Sequence, residues 1–364
     1  MLTIQSGASP TSRKFTVNFR DNNTEAGIQV NSQTAITDVV RTATARPSGV
    51  LNLALSGWIL LLNVSLFGLS QSGLPLFWLG SAALTGPDEG GARFAAWALA
   101  TLFWMLFAPM HWGLLHEGFH RQINPNRRVN DVLGRGLAVL YAAPYSILRF
   151  GHLFHHRHNR TELDRSEHYA PSARGFRARI NYFFRLFGGL YLVEVLFGLL
   201  VFLPVGLLRR GTWRLCGSAP EGLEPLAAQI ERELLSPAAL RTLRIEGLLQ
   251  IVWLGALWMT LGPMFFLVLV SLAARGMVVS LLDNAFHYGG PLDDLRSAFN
   301  ARLPGWAALL VLNSNYHGVH HHYPRVPWRH LPRVFSAQRN VEGRGKPDAS
   351  VFDGAYLHLV ARQL

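Results

Sequence analysis

Most of the fifteen histidines of this chain fall in four short stretches. Two stretches share the pattern H-x-x-H-H, namely "HLFHH" (152–156) and "HGVHH" (317–321), while "HEGFH" (116–120) has the spacing H-x-x-x-H and "DNAFHYGG" holds His287. Spacings of three and four residues place the rings on one face of a helix. Repeated spacing of this kind is typical of metal-binding helices and is difficult to obtain by chance. We call 116–120, 152–156 and 317–321 the first, second and third histidine boxes.

"HEGFH" taken alone fits H-E-x-x-H, the signature of zinc metallopeptidases. In that interpretation His116, His120 and one further residue bind zinc, and Glu117 is the general base. The interpretation leaves the second and third boxes without a role. It is therefore the weaker hypothesis for the first box.

The number of histidines predicts more than one metal ion. The three boxes hold eight imidazoles, and His287 makes nine, whereas tetrahedral zinc takes four ligands. Imidazole suits zinc, copper, iron and nickel, so ligand type alone does not identify the metal. Metal at the ends of apolar helices that could hold a lipid tail indicates attack on an unactivated C–H bond. Zinc has no redox chemistry, so the pattern favours two ions of iron acting with dioxygen.

The composition indicates that much of the chain lies in lipid. Hydrophobic residues make up 49% and charged residues 15%, against about a quarter charged in a soluble domain. The net charge of +12 comes mainly from arginine, which is typical of cytoplasmic loops, and no nucleic-acid recognition motif accompanies it. A single cysteine, Cys216, excludes a four-cysteine iron–sulfur site within the chain. Electrons must therefore come from an external donor.

Four apolar runs have the length of membrane helices, and they place every histidine box on the cytoplasmic side. The four predicted spans are 50–69, 94–110, about 245–261 and 263–282, with "TLGP" (260–263) as the turn between the last two.

Three further apolar stretches are predicted not to span. Leu186–Leu208 contains Glu194 near its centre and is followed by the arginine-rich loop Arg209–Arg244, so we interpret it as re-entrant or interfacial. Val132–Phe150, which Arg135 and Pro144 interrupt, is interpreted as a helix that lies on or just under the membrane surface. Gly73–Leu84 is interpreted as an interfacial segment.

The fold class predicted is all-α: a multi-pass membrane protein of about four transmembrane helices with a cytoplasmic helical cap that carries the histidine boxes. Residues 1–46 are polar and form a cytoplasmic N-terminal arm, residues 47–335 form the membrane domain, and residues 336–364 form a cytoplasmic C-terminal tail. The localisation predicted is the cell membrane.

The order of the three boxes, with spans between the second and the third, resembles the integral-membrane fatty acid desaturase superfamily. "HEGFHRQINPNRRVNDVLG" is similar to its first box and the stretch that follows. "RFGHLFHHRHNRTELD" is similar to its second box with a trailing acid, here Asp164, and "NYHGVHHHYPRVPWRHLP" to its third box. The resemblance covers about 50–335, and the Arg209–Arg244 insertion is not part of it.

The resemblance implies a non-haem di-iron centre and an all-helical fold. The ligands it implies are His116, His120, His152, His155, His156, His317, His320 and His321, with His287 as an additional ligand. Glu117 would orient a ligand imidazole, and Asp283 or Asn284 would act nearby through a water. His111, His158 and His322 would lie close to the site without binding metal.

The reaction implied is the introduction of a double bond into a fatty acyl chain with dioxygen and external electrons. The substrate would be a lipid or an acyl thioester, and the donor a ferredoxin or a cytochrome. Carotenoid ketolases and hydroxylases and alkane hydroxylases use similar boxes, so these oxygenase reactions remain alternatives.

Overall fold

The computed structural model describes residues 32–45, 48–72, 89–165, 175–262, 265–292, 294–342 and 351–364. These residues are mostly helical with almost no strand, which agrees with the predicted class. The apolar helices form one core with the turn that precedes the second box. Gly73–Leu84, the expected interfacial segment, lies outside the described residues.

Sixteen helices follow one another in the described part of the chain. They are α1 (Ser32–Thr44), α2 (Gly49–Ser72), α3 (Glu89–Leu106), α4 (Ala108–Phe119), α5 (Arg127–Leu140), α6 (Tyr145–His158), α7 (Phe176–Phe184), α8 (Leu190–Leu200), α9 (Val205–Cys216), α10 (Leu226–Glu233), α11 (Pro237–Leu261), α12 (Phe265–Asn284), α13 (Gly305–Leu310), α14 (His317–His322), α15 (Leu331–Glu342) and α16 (Tyr356–Arg362). A π-helical turn, Arg185–Gly189, joins α7 to α8. Two short parallel strands, β1 (Asn300–Arg302) and β2 (Val351–Ala355), form the sheet in the described residues.

By length and composition, two continuous helices could cross a membrane, 176–200 and Phe265–Asn284. The number rises to five if three bent helix pairs each form one span; one of these pairs is α3 with α4, bent by 43°. The expected turn between two helices is present, because α11 ends at Leu261 and Gly262 has a φ of +52°. The expected four spans lie within this range, and their number stays a prediction.

The segment 176–200 is long and apolar enough to cross a membrane. Its contacts with α11 and α12, however, favour a different path. Gly188 packs on the backbone of Gly276 in α12, and Gly198 packs on that of Gly247 in α11. A Cβ on Gly247 would come within 2.5 Å of the Gly198 carbonyl oxygen, so the two backbones touch. Gly276 and Gly247 are similarly far along the chain from the turn at Gly262. Helix α8 therefore runs across α11 and α12 at one depth, which favours the re-entrant or interfacial interpretation.

The expectation of a single helix over Val132–Phe150, on or just under the membrane surface, is wrong. The chain forms two helices there, α5 and α6, which meet at an angle of 102°. Pro144 ends the helical ladder because it lacks an N–H and its ring excludes the preceding turn. Ala142 has a φ of 56°, and all four residues of the turn 141–144 are buried. The turn thus enters the protein core instead of lying on a surface.

Two charged side chains satisfy the backbone groups that this turn leaves without partners. Arg275 of α12, fully buried, donates to the carbonyls of Leu140 and Tyr141 at 3.2 and 2.7 Å. Glu246 of α11 accepts from the backbone N–H of Ser146 at 2.8 Å. A cation at the end of α5 and an anion at the start of α6 also match the two helix dipoles. The position of the second box therefore depends on α11 and α12.

Both end segments pack onto the membrane domain. Within the arm 1–46, residues 32–44 form α1, and Ala43 packs against Val334 of α15. At the other end, strand β2 pairs with β1, and Leu359 of α16 is buried against Phe286. The division into an arm, a domain and a tail stays a prediction, since each described end segment shares a hydrophobic cluster with the domain.

Replacing Arg275 should destabilise the protein. Arg275→Leu leaves the buried Leu140 carbonyl without its side-chain donor and leaves the Tyr141 carbonyl with the Tyr191 hydroxyl alone. A buried carbonyl without a donor costs about 1–3 kcal/mol. We expect a lower thermal unfolding midpoint in detergent. Arg333→Leu, which changes an exposed arginine of α15, is the matched control and should leave the midpoint unchanged. Equal midpoints for the two variants would contradict the role assigned to Arg275.

Candidate metal centre

Four parts of the chain deliver histidines to one place. Helix α4 carries the first box, with His120 as the residue that ends the helix. Helix α6 carries the second box in its last two turns. His287 lies in the turn just after α12, and α14 consists almost entirely of the third box. Each box thus lies at or near the end of a short helix.

The nine histidines predicted as ligands form two adjacent groups, in each of which the candidate ligand atoms lie within 4.8 Å of one another. The first group is His116, His120, His152, His156 and His320, and the second is His155, His287, His317 and His321. Both H-x-x-H-H boxes are divided between the groups. In the second box the residues at i and i+4 join the first group and the residue at i+3 joins the second. In the third box these roles are reversed.

Ring nitrogens face one another inside each group. In the first group, Nε2 of His152 lies 2.7 Å from Nε2 of His120 and 3.1 Å from that of His156. In the second group, Nε2 of His287 lies 3.2 Å from that of His155 and 3.0 Å from that of His317. A neutral ring has one lone pair and one N–H, so converging nitrogens compete for few protons. Nε2 of His116 is buried without a hydrogen-bond partner. This donor set fits metal ions, which would take up the lone pairs.

Burial favours the neutral form of four predicted ligand histidines that lie outside the candidate spans. Burial is the largest cause, and the neighbouring histidines are the next. Together they hold the pKa of His287, His317 and His320 well below the usual 6.5. The pKa of His321 is lowered in the same way. A metal binds the neutral form of imidazole, so these rings are prepared as ligands.

A carboxylate orients one ring of the second group. Oδ2 of Asp164 accepts a hydrogen bond from Nδ1 of His155 at 2.5 Å, and Arg185 lies 3.8 Å from the same carboxyl group. With Nδ1 protonated, the lone pair of His155 is on Nε2, which faces His287 and His321. Burial by itself would raise the pKa of Asp164, but His155 and then Arg185 lower it, so the carboxylate stays ionised. This is the outer contact that fixes a metal-binding imidazole.

The three residues expected to assist the metals line the cavities beside them. Glu117 is buried, and its Oε2 has no hydrogen-bond partner. No hydrogen bond joins its carboxyl group to a histidine among the described residues, so its orienting role stays a prediction. Asp283 and Asn284 line the cavity that reaches His155 and His287. Their action through a water also stays a prediction.

Three neighbouring histidines lie outside both groups, as expected. Nε2 of His111 is 2.9 Å from the carbonyl oxygen of Leu137. His158 contacts Gln229 of α10, and Nδ1 of His322 donates to the Gly318 carbonyl at 2.9 Å. Each ring has a partner on the protein outside the two groups.

Two cavities adjoin the histidines. The larger, about 160 Å³, reaches His152, His155 and His287. The smaller, about 40 Å³, reaches His116, His317 and His320. Trp112, Val279 and Asp283 line both and form the wall between them. Because each cavity touches both histidine groups, a bound chain would approach the two groups together.

The C-terminal residues contribute a contact that sequence reasoning missed. Gln363 is buried; its amide accepts from Nδ2 of Asn284 at 2.7 Å and donates to the Leu281 carbonyl at 2.6 Å. Tyr182 donates to the Gln363 carbonyl at 2.6 Å. A glutamine near a chain end has no distinctive neighbours in sequence, so no local signal could have identified it.

Comparisons with known proteins agree with this geometry. The model of the fatty acid desaturase family matches residues 93–348. A protein named "Omega-3 fatty acid desaturase, chloroplastic", from Glycine max, is 27% identical over 286 residues, which are 72% of this chain and 59% of that protein. "Probable fatty acid desaturase DES1" from Sorghum bicolor is 28% identical over 102 residues, 27% of this chain and 26% of that protein. The chain thus matches less than two thirds of the length of either relative. No solved structure shows significant similarity to it.

Asp164 provides a direct test of the second group. Asp164→Asn keeps a hydrogen-bond acceptor but removes the charge that fixes His155, and losses of such outer contacts are about 10–100-fold in metal affinity or activity. We expect metal to be lost at lower chelator concentrations. Glu162→Gln, an exposed carboxyl two residues away, is the control. Chelator sensitivity equal to that of the unchanged protein would remove Asp164 from the site.

Proposed function

The chain belongs to the fatty acid desaturase family, and on that premise we propose that it is a membrane-bound di-iron oxidoreductase that introduces a double bond into a fatty acyl chain. The observation that carries this proposal is the convergence of nine imidazoles into two adjacent groups beside a cavity. Two groups of five and four ligands suit two metal ions.

Iron is the proposed metal, held by the five histidines of the first group and the four of the second. Bound iron would supply the reductive activation of dioxygen and the removal of hydrogen from an unactivated C–H bond, chemistry for which zinc has no redox states. The protein would supply neutral ligands, the fixed ring of His155 and walls that exclude water. Trp112, Leu148 and Val279 line the larger cavity with apolar surface suited to a methylene chain.

Two other functions compete with acyl desaturation. Carotenoid ketolation or hydroxylation and alkane hydroxylation need the same ligands, and the geometry does not separate them. A zinc peptidase would need His116 and His120 to form a site of their own with Glu117. Three further histidines crowd the same group, and this argues against that function.

We propose that the histidine groups face the cytoplasm and receive electrons from an acidic ferredoxin or cytochrome. The loops after the first and third boxes meet where Gln122 donates to the Arg325 carbonyl at 2.8 Å. Arg121, Arg127 and Arg325 are exposed there. A basic surface of this kind attracts acidic partners and anionic headgroups.

Metal and product analysis test the function together. Protein purified anaerobically should hold about two iron ions, as expected for two separate groups of five and four histidines. Cells that express it with a compatible donor should accumulate a new unsaturated acyl chain, measured by mass spectrometry of lipids and pigments. Hydroxylated or ketolated products would favour the oxygenase alternatives, and one zinc without iron would revive the peptidase.

Glu117 and His116 separate the same hypotheses. Glu117→Gln should lower product formation less than His116→Ala does, because only the latter removes a ligand. A peptidase would instead lose all activity with Glu117→Gln. Inactive Glu117→Gln beside active His116→Ala would refute the ligand assignment.

The side of the membrane is tested by cysteine labelling. In a Cys216→Ser background, Glu221→Cys in the insertion and Ser336→Cys in α15 should both react with an impermeant maleimide only after the cytoplasmic face is opened. Both positions are exposed, and the course of α8 across α11 and α12 supports the proposal that they share one side. Labelling from opposite sides would mean that 176–200 spans the membrane.

A further inference from the structure

The insertion Arg209–Arg244 builds a groove away from the histidines. The groove lies between α9 and the first turns of α11 and encloses about 560 Å³, within the range of about 300–1,000 Å³ typical of small-molecule sites. Its floor is apolar, with Phe202, Leu240, Ile245 and Leu248. Arg209, Arg241 and Arg244 are the charged residues that line it.

The groove lies at the position along α8 and α11 where polar residues meet apolar residues. Arg244 donates to the carbonyls of Val201 and Leu203 at 2.9 and 3.2 Å, and so joins α11 to the end of α8. Helix α8 is apolar up to this point apart from Glu194, and α11 is largely apolar from Ile245 onward. The two transitions coincide, as expected for the level of lipid headgroups, where long arginine side chains reach the polar layer.

The groove exposes both apolar and basic residues. Phe202, Ile245 and Leu248 expose 44%, 56% and 52% of their surface although they are apolar. Arg241, also exposed, forms no ion pair with a described acid, while Arg209 lies 3.0 Å from Glu231. An exposed apolar floor beneath guanidinium groups is complementary to an amphiphile with an anionic head.

We propose that this groove binds an anionic membrane phospholipid. The phosphate would contact Arg241 with Arg209 and Arg244, and an acyl chain would lie along Phe202, Ile245 and Leu248. Basic pockets between helices near the membrane surface recognise such headgroups. The proposal depends on membrane embedding and not on the reaction at the histidines.

The bound lipid would act on the second box through the insertion. Glu233 at the end of α10 lies 3.0 Å from Arg157 of α6, and Gln229 contacts His158. Leu234 packs in one cluster with Phe150 and Phe154. The insertion thus supports the outer face of the helix that carries His152, His155 and His156, and a lipid that holds the insertion would stabilise that helix.

The test compares lipids on the delipidated full-length protein in detergent. Phosphatidylglycerol should raise Tm by about 2–4 °C more than phosphatidylcholine with the same acyl chains, and native mass spectrometry should show it retained. Inorganic phosphate at equal concentration should give no such shift. An equal shift with phosphatidylcholine would mean unspecific boundary lipid, and an equal shift with phosphate would mean a free-anion site; either result overturns the proposal.

Matched variants locate the effect. Arg241→Gln should weaken phosphatidylglycerol binding about fivefold, the factor expected for one arginine near a lipid surface. Arg210→Gln, an exposed arginine of α9 that does not line the groove, should bind like the unchanged protein. The same loss in both variants would assign the effect to surface charge in general. Gel filtration and metal content show whether either variant is misfolded, and neither measurement requires activity.

Discussion

The buried turn between α5 and α6 is the constraint on which the site depends. A helix that ends inside an apolar core leaves carbonyls without partners, and the helix that follows leaves N–H groups without partners. In lipid-like surroundings each of these must be satisfied by the protein. Arg275 serves the carbonyls of Leu140 and Tyr141, and Glu246 serves the N–H of Ser146. Because α6 begins at this turn, α11 and α12 determine the direction of α6 and the position of the second box. The insertion Arg209–Arg244 then supports the other end of α6.

The local features of the site were readable from the sequence because each depends on neighbouring residues. Helical spacing placed His152, His155 and His156 on one turn, and the structure brings all nine predicted histidines together. How the boxes divide between two groups was not readable, since it depends on the angle at which α4, α6 and α14 meet. The turn at 141–144 was misjudged for a related reason. Arg135 and Pro144 indicated an interruption, but only Glu246 and Arg275, more than a hundred residues later, make its burial possible.

The path of α8 shows how far composition determines membrane topology. The mean hydropathy of the segment 176–200 is that of a span, and the local signs against spanning are the half-buried Glu194 and the arginine-rich loop that follows. The deciding features are Gly276 and Gly247, which let α8 cross both long helices with its backbone close to theirs. Glycines are common in apolar helices, so Gly276 and Gly247 give no signal in the sequence alone. Their role becomes visible only in their contacts with Gly188 and Gly198. The contacts of α8 with distant segments therefore favour an interfacial position for this helix. No local sequence pattern shows these contacts.

The ligand set also explains why carboxyl groups surround the histidines without joining them. Helical bundles that hold two irons with glutamates neutralise part of the metal charge directly. Here both groups consist of histidine alone, and neutral imidazoles offset none of it. Two divalent ions would bring a charge of about four into a buried site. Asp164 offers negative charge from behind His155, and Asp283 and Glu117 line the cavity walls without a hydrogen bond to the ring nitrogens of the described histidines. The nine imidazoles would thus hold the metals, and part of the balancing charge would stay fixed on the protein at Asp164.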